Sequence, residues 1–165
     1  MMKIDSPPAL LIDQIRDLFN AEEQVSRTMP ELAAKSRDEA LRNFLAAQAD
    51  ASLRQMERLQ TAAGALDATP EGETCKAMKG LIEGGDKHID KAEGTLVTNL
   101  IIIAHVNRII HYQIAGYEIS EALANQLGIS QVDSLLDDSL REEREAAQAL
   151  AKLAAGIYSA LREGR

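Results

Sequence analysis

The chain has 165 residues, a length that fits one domain with a sizeable core and no need of disulfide or metal staples. Its residues are 45% hydrophobic but only 3% aromatic, so the core must be built from Leu, Ile, Ala, Val and Met, a mix that suits helices far better than strands. The net charge of −8, with no basic stripe to offset it, argues against nucleic-acid binding.

Helix signals follow one another along most of the sequence. Pro7 and Pro8, with Asp5 or Ser6 as N-cap, open a first helix running to about Met29, where Pro30 is expected to kink or end it. Ser36-Arg37-Asp38-Glu39 reads as a capping box for a second helix lasting to about Gly64. The stretch 64–74, with Pro70 and Gly72, reads as a loop. A shorter helix from Cys75 to about Ala92 follows, where Gly84-Gly85 either weakens the helix or permits close backbone contact. Gly94 breaks the chain, and Thr95 is the expected cap of a long helix reaching about Leu127. Gly128 sits where a left-handed cap belongs, and Ser130 with Asp133 opens a last helix ending near Arg162.

Four long helices and one short one, with no alternating strand pattern, predict an all-α bundle as a single domain over residues 1–165. About thirty residues separate the second and third long helices, a crossover of the kind that distinguishes ferritin-like bundles from simple up-down ones. The opening Met1-Met2-Lys3-Ile4-Asp5 lacks a signal-peptide pattern, and the greasiest run, Leu96 to Ala104, is too short to span a bilayer. A cytoplasmic protein with no membrane partner is expected. The lone Cys75 excludes an internal disulfide and reads as a reduced structural thiol.

Each long helix carries polar residues on its apolar face. The steps of three and four that mark the faces run Leu11, Ile15, Leu18, Glu22, Val25, Met29 on the first and Leu41, Leu45, Gln48, Ser52, Gln55, Leu59 on the second. They continue as Ile103, Val106, Ile110, Gln113, Tyr117 and as Leu136, Leu140, Glu143, Ala147, Leu150. A buried carboxylate must be paired, protonated or bound to metal, so Glu22, Gln113 and Glu143 are the candidate metal-site residues. Three readings stand open: a hydrogen-bonded layer served by Gln amides, Tyr112, Tyr117 or water; a single divalent cation on Glu22 and Glu143 with amide carbonyls; or a working two-metal site. None of His88, His105 and His111 has a Glu three residues before it, so the Glu-x-x-His pairs of carboxylate di-iron bundles are absent. His111, Tyr112 and Tyr117 are expected in core or interface roles rather than catalysis. Met78, Leu81 and Ile82 read as core filling or a dimer contact. Asp50 reads as a surface acid, and Glu142 and Glu145 with Arg141 and Arg144 as a solvated face.

Several runs carry a family resemblance: Ala21-Glu22-Glu23-Gln24, Gln55-Met56-Glu57-Arg58-Leu59, Cys75-Lys76-Ala77-Met78-Lys79-Gly80-Leu81-Ile82-Glu83, His111-Tyr112-Gln113-Ile114-Ala115-Gly116-Tyr117 and Leu140-Arg141-Glu142-Glu143. Together, from about Leu10 to Leu153, the chain resembles the YciF-like bacterial stress proteins. The resemblance implies a ferritin-like fold, a homodimer and a rubrerythrin-like carboxylate site, with Glu22 as the first-helix acid and Glu143 or Glu142 as the last-helix acid. Where that family carries Leu-Glu-Glu-Thr-His this chain has Ala49-Asp50-Ala51-Ser52-Leu53, and its Glu-His-Tyr-Glu is here Ile110-His111-Tyr112-Gln113. The expectation is a stress-response protein with a degenerate di-metal site, no cofactor and a non-catalytic structural or interaction role. The alternative is a redox or iron-handling protein holding one iron or manganese ion.

Overall fold

A computed structural model describes residues 3–163; Met1 and Met2 of the opening segment, Gly164 and Arg165 lie outside it, as do the side chains of Ala160, Arg162 and Glu163. Its elements are α1 (Pro7–Lys35), α2 (Glu39–Ala65), α3 (Lys76–Ile89), α4 (Thr95–Gln126) and α5 (Ser130–Glu163), with no strand among the described residues. The four long helices form a ring in which α1 packs on α2 and α4, and α5 packs on α2 and α4. α2 and α4 therefore stand diagonally opposite. A tight turn cannot join diagonal helices, which is why the chain between them is long, and α3 lies in that connection against α4 and α1.

Local chemistry shifts several boundaries from those expected. Pro30 does not end α1, which continues five residues to Lys35. Pro30 is exposed, and fully buried Met29 and Leu32 flank it, so burial on the inner face outweighs the one backbone hydrogen bond that proline removes. The cap of α2 is Asp38, whose Oδ1 accepts from the Leu41 amide at 2.8 Å, and not Ser36. Ser36 instead closes α1: its hydroxyl accepts from the Asp38 amide at 3.1 Å and bonds buried Asn99 on α4 at 3.0 Å. α2 runs on through Gly64, and the left-handed position beyond it is taken by Asp67, with φ of 53°. Gly94, with φ of 85°, is itself the N-cap of α4, leaving Thr95 as the first helical residue. Gly128 takes the left-handed conformation expected of it, with φ of 70°.

The core is two apolar clusters rather than one. Leu11, Ile15 and Leu18 join Leu59, Tyr117, Leu136 and Leu140 at one end. Val25, Met29 and Leu32 join Leu41, Leu45, Ile102, Val106, Ile110 and Leu150 at the other, together with Met78 of α3. The expected inner faces hold with two corrections. Gln48 and Ala147 are half-buried, and their neighbours Ala49 and Ala146 take the inner position, because 3.6 residues per turn drifts away from steps of three and four. Leu81 and Ile82 are also half-buried, and Asp50 is exposed as expected.

A proline inside an exposed helix segment costs about 3 kcal/mol relative to alanine. Pro30→Ala is expected to stabilise the bundle by about 1–3 kcal/mol, seen as a rise in urea midpoint at unchanged slope. An unchanged midpoint would show that α1 has already relaxed around the proline.

Candidate functional site

Between the two apolar clusters each long helix contributes polar side chains to one layer. α1 supplies Glu22, α2 Ser52 and Gln55, α4 Gln113 and α5 Glu143, all of them buried. Gln113 Nε2 donates to Glu22 Oε2 at 2.7 Å, and the Tyr117 hydroxyl donates to Glu22 Oε1 at 2.9 Å. Gln55 Nε2 donates to Glu143 Oε1 at 2.9 Å. So Glu22 is held from α4 and Glu143 from α2, two of the ring's neighbouring contacts. Close approach of α1 and α4 is needed to bring Tyr117 to Glu22. Gly116 permits it, since a Cβ there would sit 2.7 Å from Leu18 Cδ2.

Outside the layer, Arg58 grips Glu142 with two hydrogen bonds, Nη2 to Oε1 at 2.6 Å and Nη1 to Oε2 at 2.9 Å. Gln55 Nε2 also reaches Glu142 Oε2 at 3.3 Å. Glu142 is thus not a solvated acid: it is half-buried and paired with Arg58 of α2. Arg58 Nη1 also reaches the Ser139 hydroxyl at 3.4 Å, and neither residue carried an expectation of a role beside the layer. Their spacing held a signal, since Arg58 follows Gln55 by three and Glu142 follows Ser139 by three, each pair sharing a helix face. The flanking charges do remain outside, with Arg141 pairing Asp138 and Arg144 pairing Glu118.

Burial in apolar surroundings disfavours the charged form of an acid. Glu22, with no cation beside it, is pushed from 4.5 up to about 7, chiefly by burial and against the pull of donors from Ser52, Gln113 and Tyr117. Burial, reinforced by the charge on Glu22, raises Glu143 to about 8. Arg58 holds Glu142 below the ordinary value. The shifts of Glu22 and Glu143 both run towards the protonated form, so a metal ion binding here would have to displace protons. Two buried oxygens, Gln55 Oε1 and Glu143 Oε2, have no protein partner. No group of three or more His, Cys, Asp or Glu side chains that could hold a metal ion occurs among the described residues.

The positions at which the chain departs from the resembled family do not all face the layer. Ala51 is nearly buried and Ile110 is fully so, packed in the apolar cluster. Leu53 is 52% exposed, so a histidine there would stand at the surface. His111 is exposed too, its Nδ1 against the Asn107 carbonyl at 2.8 Å.

A second polar cluster anchors α3. Tyr112 of α4 donates to Asp17 Oδ2 of α1 at 2.8 Å, and the Cys75 thiol reaches the same oxygen at 3.3 Å. Asn20 Oδ1 accepts from the Cys75 amide at 2.8 Å, and Gln24 donates to the Cys75 carbonyl at 3.1 Å. Cys75 is the N-cap of α3, its sulfur accepting from the Met78 amide at 3.4 Å. Burial pushes its thiol pKa up, away from the reactive thiolate.

Comparison with known proteins places the fold. Residues 6–161 match the family described as a domain of unknown function, DUF892. The chain belongs to that family. It is 31% identical to protein YciF of Escherichia coli strain K12 over 136 residues, 82% of each chain. The crystal structure of the E. coli stress protein YciF superposes with a TM-score of 0.91 at 28% identity, covering 94% of this chain and 99% of that one. YcfI of Rhodopseudomonas palustris, provisionally described as a structural protein, superposes at 0.87 and 27% identity over 92% and 98%. The family description assigns no function, and the stress role belongs to the E. coli relative. No helix among the described residues is long and apolar enough to cross a membrane.

Two outcomes test the layer. Glu22 and Glu143 have folded pKa values raised above 4.5, so the native state keeps protons that the unfolded chain releases. Their contribution is full below about pH 4.5 and is lost as pH rises towards 8. The stability of the wild type relative to Glu22→Gln/Glu143→Gln is therefore expected to fall, on the order of a few kcal/mol, between pH 4.5 and 8 in urea titrations. A difference that is flat with pH would mean the carboxyls are ionised in the fold. Separately, Glu22→Leu alone is expected to cost about 2–4 kcal/mol, because it strands Gln113 and Tyr117. Adding Gln113→Leu and Tyr117→Phe should recover most of that loss; a further loss would assign the cost to packing instead.

Proposed function

We propose that the protein is a non-catalytic structural or interaction component of a stress response, built on a ferritin-like frame whose di-metal site is degenerate. In this reading Glu22, Gln113 and Glu143 are the hydrogen-bonded remnant of that site, and the protein acts as a cytoplasmic homodimer without a cofactor. The observation that carries it is that the two buried carboxyls are satisfied by neutral donors from adjacent helices and held towards the protonated form. A ferritin-like frame implies iron, and these residues do not fit two iron ions. Two carboxyls in the layer, no histidine beside them and the hydrocarbon of Ile110 leave too little charge and too few donors.

One observation favours a second reading, a single divalent cation. Gln55 Oε1 and Glu143 Oε2 are buried oxygens without a protein partner, and oxygen donors suit iron(II) or manganese. An ordered water would satisfy the same two atoms.

Elemental analysis of untagged protein, purified without chelator, separates the readings, with Glu22→Ala/Glu143→Ala as control. The expected result is no stoichiometric iron or manganese in either protein, and no rise in Tm on adding manganese(II). Near-stoichiometric metal that the control lacks would replace the proposal with a one-ion, iron-handling or redox role.

A further inference from the structure

Away from the polar layer, a cavity of about 350 Å³ opens between the end of α3 and the first turns of α4. That volume lies at the small end of the range for ligand sites, about 300–1,000 Å³. Val97 and Ile101 supply hydrocarbon to its wall, and Val97 is 46% exposed. Lys91, Arg108 and His88 stand around it, and His105 lines it from within.

Three features set this cavity apart. His105 is only 1% exposed, yet its Nε2 has no hydrogen-bond partner in the protein. Burial lowers its pKa, so the ring is neutral and offers one donor and one acceptor. The ring lies flat over Gly85, where any Cβ would run into it, so the glycine is what lets the imidazole sit there. Of the acids nearby, Asp86 and Asp90 both face Lys35, at 3.6 Å and 3.9 Å, and Glu93 is exposed. Lys91 and Arg108 pair with no acid among the described residues, and Arg108 makes only a 3.5 Å contact with the Ala104 carbonyl. Two cations, Lys91 and Arg108, and two histidines, His88 and His105, thus gather around one apolar hollow.

We propose that this cavity is a binding site for a small organic carboxylate with a short hydrocarbon chain. One carboxylate oxygen accepts from His105 Nε2 and the other faces Arg108 and Lys91, while the chain lies along Val97 and Ile101. A carboxylate has two acceptor oxygens to divide in this way, and its hydrogen bond to a guanidinium is charge-assisted. A phosphate monoester carries more charge and hydration than an apolar wall can accept.

The test is an NMR titration of histidine-labelled protein with octanoate, using octylamine and octanol as comparators. Saturable octanoate binding is expected at about millimolar concentration or below. It should shift the His105 ring resonances, and octylamine should give no saturation. Arg108→Ala/Lys91→Ala changes two exposed side chains, so the fold should be retained, and octanoate should bind about tenfold more weakly. Absence of saturation, equal binding of octylamine, or an unchanged affinity in the double variant would each overturn the proposal. Vesicles of phosphatidylglycerol provide the remaining arm. Binding to them that the double variant abolishes, without octanoate binding, would make the cations a membrane contact and also overturn it.

Discussion

The arrangement depends on the need to satisfy polar groups at the centre of a helical bundle. Water cannot reach Glu22, Gln55, Gln113 or Glu143, so every hydrogen bond they make must come from another helix or a trapped molecule. The bonds that result run from α4 to α1 and from α2 to α5. Since α1–α2 and α4–α5 are the two sequential hairpins, both sets of bonds tie one hairpin to the other. Apolar packing on either side supplies most of the cohesion but is tolerant of position, whereas a hydrogen bond of 2.7 Å is not.

The crossover obeys a related logic. A chain that must pass from α2 to a diagonal partner leaves a long segment exposed unless something fastens it. Here α3 is fastened at both ends. Asp17, Asn20, Gln24 and Tyr112 hold its N-terminus through Cys75. Near its C-terminus Gly85 rests on the His105 ring, and Asp86 meets Lys35. Both fastenings rest on α1 and α4, the two helices that α3 covers. The thiol is thus one strut of a joint, which explains a buried cysteine without invoking reactivity.

Much of the fold was legible in the sequence because it rests on periodicity. Glu22, Gln113, Tyr117 and Glu143 fell on inner faces by spacing alone, and Gly128 announced its own conformation. Boundaries were less legible wherever a tertiary contact outweighed a local signal. Pro30 stays helical because Leu32 is buried beyond it, and Ser36 serves Asn99 and the end of α1 instead of capping α2. In the candidate site, the partner of each acid was the hidden part. Helical spacing says which residues look inward, not which donor on a facing helix reaches Glu22 or Glu143. The pairing of Glu142 with Arg58 needed the relative rotation of α2 and α5, which no single helix encodes.

The placement of the polar layer, with hydrocarbon above and below it on all four helices, has a consequence for assembly. If the hairpins slid past one another by one turn, about 5.4 Å, Glu22 would leave Gln113 and come to rest towards Ile109 and Ile110. Glu143 would lose Gln55 in the same movement. The greasy surfaces would still mate after such a slip, but Glu22 would be left facing oil and both acids would lose the amide donors they now have. The layer thus acts as a notch, admitting one alignment of two otherwise slippery halves and rejecting the neighbouring ones.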